Sequence, residues 1–287
     1  MLTDEATPAL PVAVTGVTGR LGGAVASRLA ALGVPLRLLA RDPSRAPRLP
    51  GSRVVAAEFG DAAAVRSALN GVRTVLMVSA GETLDRVDRH RTFVDAAAAA
   101  GADHLVYVSF FGAAPEATFT LARDHWATEE HIRASGLAHT VLRDNLYLDF
   151  LPEMVGEDGV IRGPAGSGRA AAVAIDDVAD AAVAVLRSPE QHRGATYELT
   201  GPQSLTFAEM ADVLAGATGR PVSFLDETVE EAYASRARYG APDWQVEAWV
   251  STYTAVARGE LDGVTDAVPR LTGHPATSLA ELLRRPR

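Results

Sequence analysis

Three glycines, Gly16, Gly19 and Gly22, stand between a short apolar run and the start of an apolar-periodic stretch. The run, Leu10–Thr15, is β-branched and reads as a buried strand. The stretch at 20–32 reads as a helix that Gly33 ends. Glycines spaced by three across such a junction permit a tight turn and close packing of the helix on the strand. The same rhythm then repeats. Buried strands are expected at 34–40, 53–57, 73–78, 104–109 and 138–142. Helices are expected at 61–69, at 84–100 before Gly101, and at 121–135 before Gly136. Alternating strands and helices predict an α/β fold, a Rossmann-type doubly wound parallel sheet covered on both faces.

After residue 150 the rhythm loosens. Residues 155–169 are glycine-rich and read as a mobile loop or a short hairpin. A strand at 170–175, a helix at 176–186 capped by Asp176 and a strand at 196–199 follow. Ser204–Glu209 fits a helix start, with an oxygen side chain ahead of the apolar periodicity. The remainder reads as two or three helices and a short strand. It is dense in aromatics (Tyr233, Tyr239, Trp244, Trp249, Tyr253) for a chain only 6% aromatic.

A strand–glycine loop–helix unit near the N-terminus is the setting in which backbone N–H groups cradle a pyrophosphate. Thr15, Gly16, Thr18, Gly19, Arg20, Leu21 and Gly22 are therefore assigned to a dinucleotide site, against the alternative of an empty glycine-rich turn. The residue closing the second strand selects the cofactor. Here Arg41 stands there and favours the 2′-phosphate of NADP(H), with Arg45 and Arg20 within reach of it. If Arg41 is merely solvated and Asp42 holds the ribose, NAD(H) is the cofactor. Asp61 either caps the following helix or contacts the adenine. Val78 and Ser79 end the fourth strand, where the chain would pass under the riboses.

Composition removes several chemistries. All 27 basic residues are Arg, and the chain has neither Lys nor Cys. Disulfides, cysteine metal sites and a thiol nucleophile are excluded, and no metal site is expected. A Schiff-base or P-loop lysine and any Tyr–Lys pair are excluded too. A net charge of −9 argues against nucleic acid as a partner. The N-terminus, MLTDEATPALPVAVTG, lacks a basic region and a long apolar stretch, so no signal peptide, membrane span or membrane partner is expected. The expectation is a cytoplasmic protein, monomeric or homodimeric.

The sequence resembles the NmrA-like branch of the atypical short-chain dehydrogenase/reductases, with the type 2 NAD(P)H:quinone oxidoreductases nearest. The resemblance rests on TGVTGRLG at 15–22, RDPSR at 41–45, FGD at 59–61 and VYVS at 106–109. It continues in LARDHWATEEHIRASG at 121–136, TVLRDNLY at 140–147, IDDVADAA at 175–182, YELTGP at 197–202 and GHPATSLAEL at 273–282. It covers nearly the whole chain. It implies a Rossmann domain at 1–152 and a smaller α/β substrate region at 153–287, interleaved with the Rossmann sheet around 170–200.

The wider superfamily protonates a carbonyl with a Tyr-x-x-x-Lys pair, which this chain cannot contain. The expected helix carries Arg123-Asp-His125-Trp-Ala-Thr-Glu129 instead. The resemblance makes His125 a proton donor or a polar anchor for the substrate oxygen. Read from its neighbours alone, it is a surface histidine paired with Asp124 or Glu129. Ser109 ends the fifth strand where the superfamily's catalytic serine lies, although strand-end serines also serve turns. Phe110 and Phe111 would wall the nicotinamide or a flat substrate, one of them being core. Asn145 and Tyr147 match the family loop that approaches the nicotinamide, with Arg143 holding that loop. His90 also matches, on a helix where packing or capping serves equally. Trp244 and its aromatic neighbours suit a large flat ligand.

The resulting expectation is an NADPH-dependent oxidoreductase delivering hydride to a quinone or polycyclic aromatic acceptor, polyketide-derived ones included. Quinones are electron-poor and need little acid help. The alternative is a catalytically silent NADP-binding redox sensor of the NmrA type. An isomerase with a recycled nicotinamide is a third reading, which no acid–base pair supports.

Overall fold

The computed structural model describes residues 11–285, and Leu10 of the expected first strand lies outside them. In chain order the first half runs β1 (Val12–Val14), α1 (Arg20–Ala31), β2 (Leu36–Ala40), β3 (Ser52–Ala56), α2 (Ala62–Leu69) and β4 (Thr74–Val78). It continues with α3 (Arg86–Ala99), β5 (His104–Phe110), α4 (Thr120–Ala134) and β6 (Ala138–Asp144). The second half runs β7 (Val160–Gly163), β8 (Arg169–Ala170), α5 (Ile175–Arg187), β9 (Thr196–Leu199), β10 (Leu205–Thr206) and α6 (Phe207–Thr218). It ends with β11 (Ser223–Asp226), α7 (Val229–Arg236), α8 (Asp243–Ala257), α9 (Ala267–Thr272) and α10 (Leu279–Arg284).

Seven strands form one parallel sheet in the order β3-β2-β1-β4-β5-β6-β9. β4 shows why the run is continuously apolar. Leu76 faces one core with Val25, Leu29 and Val178, whereas Val75 and Met77 face the other with Phe93 and Val94. Both faces of the strand are buried, so its sequence shows no alternation. α1 and α5 cover the first face, and α2 and α3 the second. Strand order reverses between β1 and β4, and the carboxyl ends of these strands leave the crevice where such sheets bind ligands.

The remaining elements build a smaller lobe around Phe111, Leu148, Leu151, Ile161, Phe207, Met210, Tyr253 and Val256. Four expectations are corrected here. Residues 155–169 are not a hairpin, because β7 pairs in parallel with the distant β11. Their glycines serve close packing: a Cβ on Gly163 would lie 2.3 Å from the Tyr253 ring, and one on Gly168 would lie 2.1 Å from the Val256 carbonyl oxygen. The strand expected at 170–175 shrinks to Arg169–Ala170, which pairs with β10, while Val173 makes a single bridge to Tyr147. Asp176 lies inside the first turn of α5, whose N-cap is Ala174. The capping service comes from afar, with Ile175 N donating to Asp149 at 2.9 Å. Beyond α6, among the described residues, four helices form instead of two or three. α9 and α10 have six residues each, too few for a periodicity to show. Among the described residues no helix is long and apolar enough to cross a membrane.

Candidate active site

The glycine loop is shaped by three separate close approaches. Gly16 adopts a φ of 65°, which favours glycine, and a Cβ there would sit 3.0 Å from that of Val78. Gly19 donates to the Gly16 carbonyl at 2.9 Å and begins α1 with no side-chain cap. A Cβ on Gly22 would lie 2.4 Å from the Gly16 oxygen. Only hydrogen fits there, so the loop folds tightly into the uncapped start of α1, and Gly16 and Thr18 line the adjoining groove. That cradle suits a dinucleotide pyrophosphate.

Thr15 supports the loop from beneath. Its hydroxyl accepts from Val78 N at 2.9 Å and staples β1 to β4. Leu21 is buried among core side chains. Arg20 pairs with Glu153 and covers the Phe150 ring, 4.9 Å from its centroid, and does not line the groove beside Arg41.

A cavity of about 330 Å³ opens beside the loop, lined by Gly16, Thr18, Arg41, Phe59, Val78, Ser79 and Arg89 among others. Arg41 is exposed and, among the described residues, has no carboxylate partner. Asp42 bends onto its own turn, accepting from Ser44 N at 3.0 Å and Ser44 Oγ at 2.6 Å. Those bonds hold its carboxyl below the usual range. Asp61 caps α2 by accepting from Ala64 N at 2.9 Å and does not line the cavity.

The residues expected at the nicotinamide end are brought together, but they face one another. His125 is buried, with Arg86 Nη2 3.0 Å from its Nε2 and Tyr107 Oη 2.9 Å from its Nδ1. Neither Asp124 nor Glu129 pairs with it, which corrects the surface reading. A guanidinium only donates, so Nε2 accepts and Nδ1 carries the proton. Burial, then Arg86, His90 and Arg143, hold its pKa well below the ordinary 6.5. His90 repeats the pattern. Its Nε2 accepts from Ala80 N at 2.9 Å, its Nδ1 donates to Thr128, and burial pushes its pKa down to about 3.

Ser109 is fully buried, and its hydroxyl donates to Glu129 at 2.6 Å instead of pointing at a substrate. Asn145 likewise spends both amide ends on backbone, donating to Leu261 O at 3.0 Å and accepting from Leu146 N at 2.7 Å. Phe111 belongs to the lobe core. Phe110 is half-buried, 5.0 Å from the Phe119 ring and 6.2 Å from that of His125. Tyr147 donates to Asp144.

Four residues at this end were not found from the sequence. Arg86 and Tyr107 clamp His125. Glu129, with no exposed surface, takes Arg143 at 2.7 and 2.9 Å and Arg133 at 2.8 Å. Burial lifts the carboxyl of Asp144 to about 8. Arg86 falls within the helix expected at 84–100, where nothing local marks its partner in α4. For Glu129, the one available signal was its spacing of four from His125 on one helix.

A second cavity, of about 510 Å³, lies in the smaller lobe between the end of β6's following loop, β7, α7 and α8. Tyr239, Trp249 and Tyr253 supply its aromatic surface, and Glu153, the partner of Arg20, is in its wall. Trp244, expected to face the substrate, does not line it; Trp249, five residues on along α8, does.

The sheet order, the cradle and the crevice at the strand switch define a Rossmann-type dinucleotide-binding protein with a second lobe beside its ligand groove. The chain belongs to the NAD(P)H-binding family, whose sequence profile matches residues 16–189. It is 33% identical over 278 residues to quinone oxidoreductase 2 of Escherichia coli, covering 94% of this chain and 96% of that one. It is 31% identical to the NAD(P)H azoreductase of Xenophilus azovorans, over 95% and 96% of the two chains. A crystal structure of an Escherichia coli NADPH-dependent quinone oxidoreductase complexed with NADPH superposes with a TM-score of 0.86 at 32% identity, covering 95% and 98%. NmrA, a negative transcriptional regulator crystallised with NADP, shares the fold, with a TM-score of 0.77 at 16% identity over 96% and 95%. The chain is accordingly an NAD(P)H-dependent oxidoreductase.

Proposed function

We propose that this oxidoreductase reduces a flat, electron-poor aromatic acceptor, a quinone or a related polycycle, and prefers NADPH. The observation that carries the reading is the ion pair between the glycine loop and the aromatic lobe. Arg20 leaves the glycine loop and pairs with Glu153 in the wall of the aromatic cavity, so one ion pair ties the cofactor cradle to the acceptor lobe. NADPH, when bound, supplies the hydride. Arg41, exposed and unpaired beside the groove, is shaped to take the 2′-phosphate by a forked guanidinium contact. Thr18, Val78 and Ser79 line the groove for the riboses.

His125 acts here as a positioning residue. It is neutral, with both nitrogens engaged, and it couples Arg86 to Tyr107. Ser109 and Asn145 hold α4 and the β6 loop in place. No free proton-donating side chain is thereby assigned, which suits an acceptor whose reduced product solvent can protonate. The relatives named for quinones and azo compounds act on acceptors of that electronic kind. We divide the chain at residue 152, with 153–287 as the substrate region and 170–200 returning to the sheet.

The same inward commitment of Ser109, Asn145 and His125 favours a second reading, an NADP-binding sensor that turns nothing over. One assay separates the two. NADPH oxidation is followed at the nicotinamide absorbance band with a panel of naphthoquinones and anthraquinones. Turnover of at least one acceptor is expected; tight NADPH binding with no turnover of any would replace the reductase by the sensor.

A further inference from the structure

The aromatic cavity is also cationic, although the chain as a whole carries a net charge of −9. Arg162, Arg236 and Arg238 line it, against the single carboxylate of Glu153. Three of these four charges are already matched. Arg162 pairs with Asp158. Arg236 is buried, pairs with Glu227 at 3.0 Å and donates to the Arg162 carbonyl at 3.0 Å. Glu153 is taken by Arg20.

Arg238 differs. Among the described residues it has no carboxylate partner, and its one polar contact is Nη2 to the Tyr239 hydroxyl at 2.9 Å. Its guanidinium lies over the Tyr239 ring, 5.0 Å from the centroid. Tyr239 in turn meets Trp249 edge-to-face at 5.9 Å and 88°. The wall is thus a run of two rings with a cation at its end, and most of the five guanidinium donors remain free. Tyr253 also lines the cavity, its ring packed so close to β7 that a Cβ on Gly163 would lie 2.3 Å from it.

We propose that this cavity selects acceptors whose aromatic or conjugated ring bears an anionic group, a sulfonate, carboxylate or phosphate, which Arg238 binds while Tyr239 and Trp249 hold the ring. The inference rests on the aromatic-acceptor reading above and names the substrate class for that site. A planar cation beside a ring wall matches an anionic arene in both shape and charge.

Two measurements test it. In the first, KM is determined with NADPH for 1,4-naphthoquinone-2-sulfonate and for the unsubstituted quinone. The wild type is expected to show the lower KM for the sulfonate. The ratio of sulfonate to neutral KM is expected to rise about tenfold in Arg238→Gln, a loss of one charge-assisted contact, and to rise less in Arg238→Lys, which keeps the charge and loses the planar stack. Equal ratios in the wild type and Arg238→Gln overturn the proposal. In the second, naphthalene-2-sulfonate is titrated by calorimetry into the wild-type protein saturated with NADP+, without turnover. Binding that Arg238→Gln weakens, in a protein that reduces no quinone, supports the anionic site and sinks the reductase reading. No binding to the wild type sinks the anionic site whatever the kinetics show.

Discussion

Arg86 donates from Nη2 to Nε2 of His125 at 3.0 Å and from Nε to the carbonyl of Ala80 at 3.0 Å. One guanidinium therefore joins the end of β4, beside the cofactor groove, to α4. It also fixes the imidazole as a neutral donor toward Tyr107. The His125 ring is expected to show no titration between about pH 5 and 8 when followed by NMR, the range where a free histidine changes charge. In Arg86→Met its pKa should rise. A wild-type midpoint near the ordinary value would refute the arrangement. The stability consequence has a definite sign. His90 and His125 bind fewer protons in the folded state than unfolded, so their contribution is present above the unfolded value of about 6.5 and is lost as pH falls below it, for His90 as pH falls toward about 3.

Gly22→Ala should abolish the cradle. The new methyl would meet the backbone at 2.4 Å from Gly16 O and 2.6 Å from Thr15 O, and backbone does not yield as a side-chain tip does. NADPH affinity, read from nicotinamide fluorescence, should fall more than about tenfold, with a stability loss of about 1–3 kcal/mol from overpacking. Wild-type affinity in the variant would remove the loop from the cofactor site.

For cofactor choice, Arg41→Ala should weaken NADPH about tenfold more than NADH, as expected for loss of one charge-assisted phosphate contact. Dissociation constants for both nucleotides give the answer directly. Equal weakening would mean that Arg41 does not read the 2′-phosphate.

Asp144 reverses the histidine trend. Its folded pKa of about 8 lies above the unfolded value, so the folded state binds the extra proton. The stability this provides is complete below about pH 3.9 and drains away as pH rises through 8. Asp144→Asn, which keeps the shape and removes the titration, should be more stable than wild type at pH 8 by more than about 1.4 kcal/mol, the worth of one pKa unit. Denaturant midpoints at pH 5, 6.5 and 8 test this. Parallel pH profiles for the two proteins would contradict it.

Glu129 is the hub that neutralises Arg133 and Arg143 and receives Ser109. Glu129→Ala should cost about 1–3 kcal/mol, since it removes the buried acceptor that Arg133, Arg143 and Ser109 share, leaving Arg133 with Glu130 and Arg143 with Glu198. A urea midpoint close to wild type would show that these contacts contribute little.

The parts of this molecule legible in the sequence are those where local chemistry and global fold agree. Gly16, Gly19 and Gly22 stand where a strand must turn sharply into a helix, and β4 is apolar throughout because both its faces are covered. Asp61 capped its helix because the cap needs only the next three residues. The polar cluster was harder to read, because its pairings span the chain. Arg86 meets His125 across 39 residues, and Glu129 meets Arg143 across 14. A sequence shows that such side chains exist, not that they neutralise each other. Trp244 and Trp249 show the same limit within one helix. Both are apolar and aromatic, and only the packing of α8 decides which one faces the cavity.

The last strand of the sheet arrives late. β9 pairs with Val141–Asp144 of β6, and α5 lies on α1, although both follow the smaller lobe's first segment in the chain. A fragment cut after residue 152 would leave β6 with a bare edge and α1 with an uncovered apolar face, an invitation to aggregate. Swapping acceptor specificity between relatives by splicing therefore cannot be done at one junction. The segment carrying β7 and the one carrying β11, α7 and α8 have to be exchanged together, with the return through α5 and β9 left in the host.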